Sequence, residues 1–181
     1  MSPGDQPQHP DGASVLMVFD VDGTISRFYR DEEYAEHHSD PNWYELLPLD
    51  EAVVDALDEL AHLPGVDVAW LTSWAPDQDY LDHLINGARF RGRLAGRCVP
   101  WIGEPDKGWR LRSLLTFAEQ HHPRALVWAD DQSPRNAGQR IGDHLTIPRL
   151  VLRPHRNVGL TMDDVHRVHA FVNEHARQQP R

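Results

Sequence analysis

Three short stretches, VLMVF at Val15–Phe19, VDVAWL at 66–71 and ALVWA at Ala125–Ala129, are strand-length and almost uninterruptedly apolar. A strand with one wet face alternates apolar and polar residues, whereas one covered on both faces does not. Helical spacing fills the intervals. Val53, Val54, Leu57, Leu60 and Ala61 recur at helical spacing in 50–63, with Asp50 as N-cap, Leu49 and Val54 as a hydrophobic staple and Pro64-Gly65 as the stop. Pro76 is placed to open a second helix through Leu81, Leu84 and Ile85 to Asn86-Gly87, and Asp106 to cap a third carrying Leu111, Leu114, Leu115 and Ala118. Pro148 limits the following segment to a short strand at 150–152. Thr161 and Asp164 then form a capping-box-like start to a last helix with Val165, Val168, Phe171 and Val172 on its core face. Strands alternating with helices predict an α/β fold, a Rossmann-like open and mostly parallel sheet with helices on both faces.

At 181 residues the chain suits one domain, predicted over 14–176. Residues 1–13, rich in Pro, Gly, Gln and Asp, read as a disordered tail, and 177–181 as a C-terminal one. The net charge of −10 disfavours indiscriminate binding to nucleic acid or an anionic membrane. One basic island, Arg89, Arg91, Arg93 and Arg97, interrupts that acidity. Cys98 stands alone, which rules out an intramolecular disulfide and fits a reducing compartment. The N-terminus has no basic start or apolar stretch of signal-peptide type, and no run of about 18 apolar residues occurs, so the expectation is a cytoplasmic protein without a membrane span.

In open parallel sheets the ligand site lies beyond the carboxyl ends of the strands, at the point where the strand order reverses. There the sequence places its conspicuous polar residues. Asp20 and Asp22 follow the first strand, Thr72 and Ser73 the second and Asp130-Asp131 the third, while Lys107 falls in the expected first turn of the helix before that third strand. Four carboxylates at one edge repel unless a cation neutralises them. A hard divalent ion such as Mg²⁺, which takes oxygen ligands from one or two carboxylates and a substrate phosphate, fits that requirement.

Asp20-Val-Asp22-Gly23-Thr24 after an apolar strand, Thr72 closing a second, Lys107, and Asp130-Asp131 closing a third resemble the four motifs of the haloacid dehalogenase-like (HAD) phosphohydrolases. Within that superfamily, WLTSW, VWADD and the later VGLT helix look like the small domains associated with Swiss Army Knife RNA-repair proteins. The resemblance implies Asp20 as nucleophile forming an aspartyl-phosphate and Asp22 as general acid and base. It further implies Thr72 and Lys107 as phosphate holders, and Mg²⁺ on Asp20, the Asp22 carbonyl and the Asp130-Asp131 pair. Gly23 would permit the tight turn and Thr24 would tie it down. Family members that cleave carbon–halogen bonds lack an acid at the position of Asp22, so its presence implies phosphate esters. Which of Asp130 and Asp131 touches the metal stays open.

Plainer readings stand beside these. Thr72 and Ser73 also suit helix caps ahead of Pro76, and Lys107 an ordinary surface lysine, with Arg110 or Arg112 able to replace it if the helix starts later. Trp74 suits either packing or stacking on a base. Arg91 and Arg93 suit either a grip on polymer phosphates or a solvated loop. His166 and His169 lack a third zinc ligand. The first gap between motifs, residues 25–49, holds only 25 residues including Trp43-Tyr44, too few for a full cap domain. An open site suits a bulky phosphorylated substrate, with a polynucleotide end favoured by the resemblance. A non-catalytic phosphate-binding module and a phosphotransferase are the alternatives.

Overall fold

A computed structural model describes residues 14–28, 48–104, 106 and 108–176. The expectations for both tails, for Lys107 and for Trp43-Tyr44 lie outside the described residues. Five strands, β1 (Val15–Phe19), β2 (Val66–Trp70), β3 (Arg97–Cys98), β4 (Ala125–Ala129) and β5 (Arg149–Leu152), form one parallel sheet in the order β3-β2-β1-β4-β5. Every residue of β1 and β4 is buried, which is why neither alternates.

Successive residues of β1 point to opposite faces and enter two separate cores. Val15, Met17 and Phe19 pack with helices α1 (Glu51–Ala61), α2 (Gln78–Asn86) and α5 (Met162–Ala176). Leu16 and Val18 pack on the other side with α3 (Trp109–His121) and α4 (Ala137–Gly142). Trp70 anchors the first core edge-on to Phe90 and donates its indole N–H to Leu94 O at 2.9 Å. Burying Trp70 and Trp128 stabilises each by about 2–3 kcal/mol on apolar area.

The local signals act as their chemistry dictates. Asp50 accepts from the N–H groups of Ala52 and Val53 at 3.1 and 3.4 Å, and Thr161 and Asp164 close a reciprocal box in which Thr161 N donates to Asp164 Oδ2 at 3.1 Å. Two starts differ from expectation. Helix α2 begins at Gln78, capped by Asp77, whose Oδ1 accepts from Tyr80 N at 3.0 Å, so Pro76 lies just ahead of the cap. Helix α3 begins at Trp109 after Gly108, because Asp106 closes a turn onto Gly108 N at 2.8 Å and does not cap the helix. The sequence reading also lacked β3, two half-buried residues on the sheet edge, and α4, whose two glycines and single Ala137–Ile141 apolar pair carry little periodicity. Among the described residues, the connection from β2 to β4 holds α2, β3 and α3 and no inserted domain. No described helix is long and apolar enough to cross a membrane.

Candidate active site

Strand order reverses between β1 and β4, so their carboxyl ends open the crevice where ligands bind in such sheets. The ladder runs one residue past each strand. Asp20 N donates to Ala129 O at 3.1 Å and Asp130 N to Leu152 O at 3.1 Å, fixing both aspartates by their backbones. Carboxylate oxygens of Asp20, Asp130 and Asp131 lie within 4.8 Å of one another, all three residues buried.

The turn that follows Asp20 is shaped by close approach. Gly23 adopts φ +70°, and a Cβ there would fall 2.7 Å from Asp131 Cγ, so only glycine fits beside that carboxylate. Thr24 Oγ accepts from Asp131 N at 3.1 Å and ties the first motif to the last.

Burial dominates the electrostatics. It pushes Asp20 up to about 8, with Asp130 adding repulsion, against Arg110, the Val21 N–H and the Thr72 hydroxyl that hydrogen-bonds the carboxylate. Asp130 is pushed up to about 6 by burial, against Arg110 and the Gln132 N–H. Asp131 is raised by burial too, with Arg156 the main opposing charge. Two buried oxygens, Asp20 Oδ2 and Asp131 Oδ1, have no hydrogen-bond donor. Arg110 Nη1 does stand 2.9 Å from Asp20 Oδ2, but as a charge contact off the hydrogen-bonding direction. Leaving buried carboxylate oxygens without donors costs several kcal/mol, and a hard cation between them is the natural remedy. The donor set, oxygen only and anionic, fits Mg²⁺.

Arg110 is the residue that sequence reasoning placed second. The late start of α3 puts it in the first turn, where Nη1 reaches Asp20 Oδ2, Asp130 Oδ2 at 3.3 Å and Leu71 O at 3.2 Å. Its guanidinium also lies 4.8 Å from the Trp109 ring centroid. The signal lay in the helix boundary, which Gly108 and the Asp106 turn moved two residues past Lys107.

Thr72 is buried and faces Asp20, while Ser73 is exposed. Trp101 Nε1 donates to Thr72 O at 3.2 Å and braces that strand end, a contact 29 residues away in sequence that no local pattern announces. Trp74 donates its indole N–H to Asp22 Oδ2, so it orients a carboxylate beyond merely filling space. Asp22 itself is half-buried and raised by burial, with the Trp74 hydrogen bond opposing. The basic island is structurally engaged. Arg93 ion-pairs with Glu51 at 2.8 Å and with Asp55, and Arg89 with Glu51 at 3.4 Å, which staples the turn after α2 to α1. Arg91 is exposed, its Nε donating to Ala88 O at 3.1 Å.

No curated protein matches the chain. Among solved structures its fold is similar to the HAD domain of effector protein Lem4 from Legionella pneumophila, with a TM-score of 0.53 over 90% of this chain and 96% of that one. At 12% identity the likeness is one of fold alone. Residues 16–165 match a family described as the HAD domain in Swiss Army Knife RNA repair proteins. The matched span contains both aspartates after β1, Thr72, Arg110 and the Asp130-Asp131 pair, and the chain belongs to that family.

Proposed function

We propose that the protein is a Mg²⁺-dependent phosphohydrolase that removes a phosphate from a bulky substrate, a polynucleotide end, through an aspartyl-phosphate on Asp20. The observation that carries this reading is the pair of buried, donorless oxygens on Asp20 and Asp131 beside Thr72 and Arg110. Asp130 is already held by Arg110 and the Gln132 N–H, so Asp131 is the better placed of the two to meet an ion directly.

An Asp20 oxygen attacks phosphorus, the bond to the ester oxygen breaks, and that oxygen takes the proton of Asp22. Asp22, now a carboxylate, accepts a proton from the water that attacks the aspartyl-phosphate, which frees phosphate and restores Asp20. Thr72 and Arg110 offer an O–H and N–H groups to the phosphoryl oxygens as charge moves onto them. Mg²⁺, when held by Asp20 and Asp131, supplies the positive charge that keeps buried carboxylates ionised near neutral pH and screens the phosphoryl group.

Phosphate release tests the reading, measured on an aryl phosphate, sugar phosphates, nucleotides and 3′- or 5′-phosphorylated oligonucleotides, with Mg²⁺ and with chelator. Mg²⁺-dependent release is expected, fastest on the oligonucleotides. Silence on every substrate, with phosphate or Mg²⁺ still bound, would make the protein a binding module. Phosphate passing to an added alcohol in preference to water would make it a transferase.

Trp74→Phe is expected to slow turnover about tenfold on a substrate with a poor leaving group, and little on an activated aryl phosphate. The indole N–H lowers the pKa of Asp22, so its loss raises that pKa further. The alkaline limb of kcat, where Asp22 loses the proton it must donate, should therefore move to higher pH. An unmoved limb would remove Trp74 from that role.

A further inference from the structure

The loop after β5 brings two arginines to the rim of the acid cluster that the phosphoryl chemistry leaves unused. We infer that Arg153 and Arg156 form a second phosphate subsite, which holds the phosphodiester next to the scissile phosphate of a polynucleotide end. The inference rests on the proposed function for its scissile phosphate, and its test separates the two.

Backbone contacts hold this loop against the segment that follows the nucleophile. Phe28 N donates to Arg156 O at 2.8 Å and Leu160 N to Thr24 O at 2.7 Å. Gly159 approaches so closely that a Cβ would lie 2.9 Å from Thr24 O, and His155 and Gly159 bridge the loop on itself. The backbone of Arg156 is thus tied to Phe28 and the end of its loop to Thr24, in the segment that follows Asp20.

From this base both side chains reach Asp131. Arg153 Nε donates to its carbonyl at 3.0 Å, and Arg156 Nε lies 3.9 Å from its Oδ2. The Arg156 guanidinium stacks 4.0 Å from the Phe28 ring centroid, and 55% of its side chain is exposed. An exposed ion pair at such a distance contributes about 0–1 kcal/mol, too little to account for a guanidinium held in place by an aromatic ring. A stacked guanidinium keeps its N–H edges in plane and pre-oriented, which is the arrangement that engages two phosphate oxygens. Arg153 is exposed as well.

The occupant follows from number and charge. One phosphate is already accommodated by Thr72 and Arg110, so a substrate with a single phosphate has nothing to place on Arg153 and Arg156. A polynucleotide end does, in its neighbouring diester. In a chain of net charge −10 these two cations also give an incoming polyanion a local attraction. The Arg89–Arg93 island is less suited, since Arg93 and Arg89 are bound to Glu51 and Asp55.

Two measurements on the full chain with Mg²⁺ decide it. The first is kcat/KM for an end-phosphorylated oligonucleotide divided by kcat/KM for the corresponding phosphorylated mononucleotide, a ratio that cancels any general loss through Asp131. Arg153→Ala/Arg156→Ala should lower it about tenfold or more, the effect of one lost charge-assisted contact. The second is salt dependence of oligonucleotide binding in an Asp20→Asn background, followed by fluorescence anisotropy. The slope of log K against log salt should flatten by about 0.7 for each lost single-strand phosphate contact, and lysine at both positions should restore it. An unchanged ratio and slope would overturn the subsite. A wild type inactive on every phosphate ester, yet with a slope that depends on these arginines, would overturn the phosphatase and keep the subsite. Arginine-dependent binding of a phosphopeptide with none of an oligonucleotide would overturn it in favour of a protein partner.

Discussion

Asp20→Asn is expected to lower phosphate release at least about 10³-fold and, in chelator, to leave a protein that melts higher than the wild type at pH 8. The first half follows from the missing nucleophile, since an amide oxygen cannot form the acyl phosphate. The second follows from burial. Asp20 is fully buried, and its pKa is pushed from the usual 3.8 up to about 8. In the folded chain it therefore keeps a proton that the unfolded chain releases above about pH 4. Its contribution to stability is complete below that pH and is lost as pH rises through 8. Asp130, pushed up to about 6, ionises first and deepens the loss by repelling a second charge. Asparagine never ionises, so the difference in Tm between variant and wild type should be near zero at pH 4.5 and grow steadily toward pH 8. Saturating Mg²⁺ should reverse the order at pH 8, because only the wild type regains its full set of charged oxygens. An active variant would end the nucleophile assignment, and a Tm gap independent of pH would end the account of the buried charge.

What could be read from residue order alone was whatever local chemistry decides. The strands β1 and β4 announced themselves by unbroken apolar runs and β2 by a run broken only at Asp67, and α1 and α5 by periodicity with caps that proved to bond as caps do. Asp20, Gly23, Thr24 and the Asp130-Asp131 pair came with them, because each sits within two residues of a strand end or the turn it requires. The remainder depended on distance. Arg110 reaches Asp20 across 90 positions, and that reach turns on a helix boundary shifted by one Asx turn. Trp101 on Thr72, Trp74 on Asp22 and Arg156 on Phe28 are tertiary contacts between segments whose own patterns say nothing of one another. The arginine island, equally suited by sequence to a phosphate grip or a solvated loop, also turns on contacts made at a distance. Arg89, Arg91, Arg93 and Arg97 look equally available in the sequence, yet Arg93 packs onto α1 with 15% of its side chain exposed.

Arg110→Ala is expected to lower kcat/KM about 10²- to 10³-fold, the loss seen when one preorganised donor to a developing oxyanion is removed, while Lys107→Ala costs less than about tenfold. The expectation for Arg110 follows from where α3 starts. Gly108 holds the cap position, Trp109 opens the first turn, and Arg110 is, among the described residues, the cation whose side chain touches both Asp20 and Asp130. It draws both carboxylates toward their charged forms, and in the proposed reaction it would also present N–H groups to a phosphoryl oxygen. Removing one partner of a buried ion pair costs about 3–5 kcal/mol when the other must stay charged. Here Asp20 and Asp130 can bind protons instead, so the folding penalty is smaller at pH 6 than at pH 8, and thermal melts at the two values read that difference. Arg110→Lys keeps the charge but loses the planar guanidinium whose Nη1 meets both carboxylates, and should recover only part of the rate. Inactivity of Lys107→Ala beside a nearly intact Arg110→Ala would return the phosphate-holding role to Lys107. Comparable losses in both would mean that the two cations share the transferred phosphoryl group, with Arg110 on the nucleophile's side.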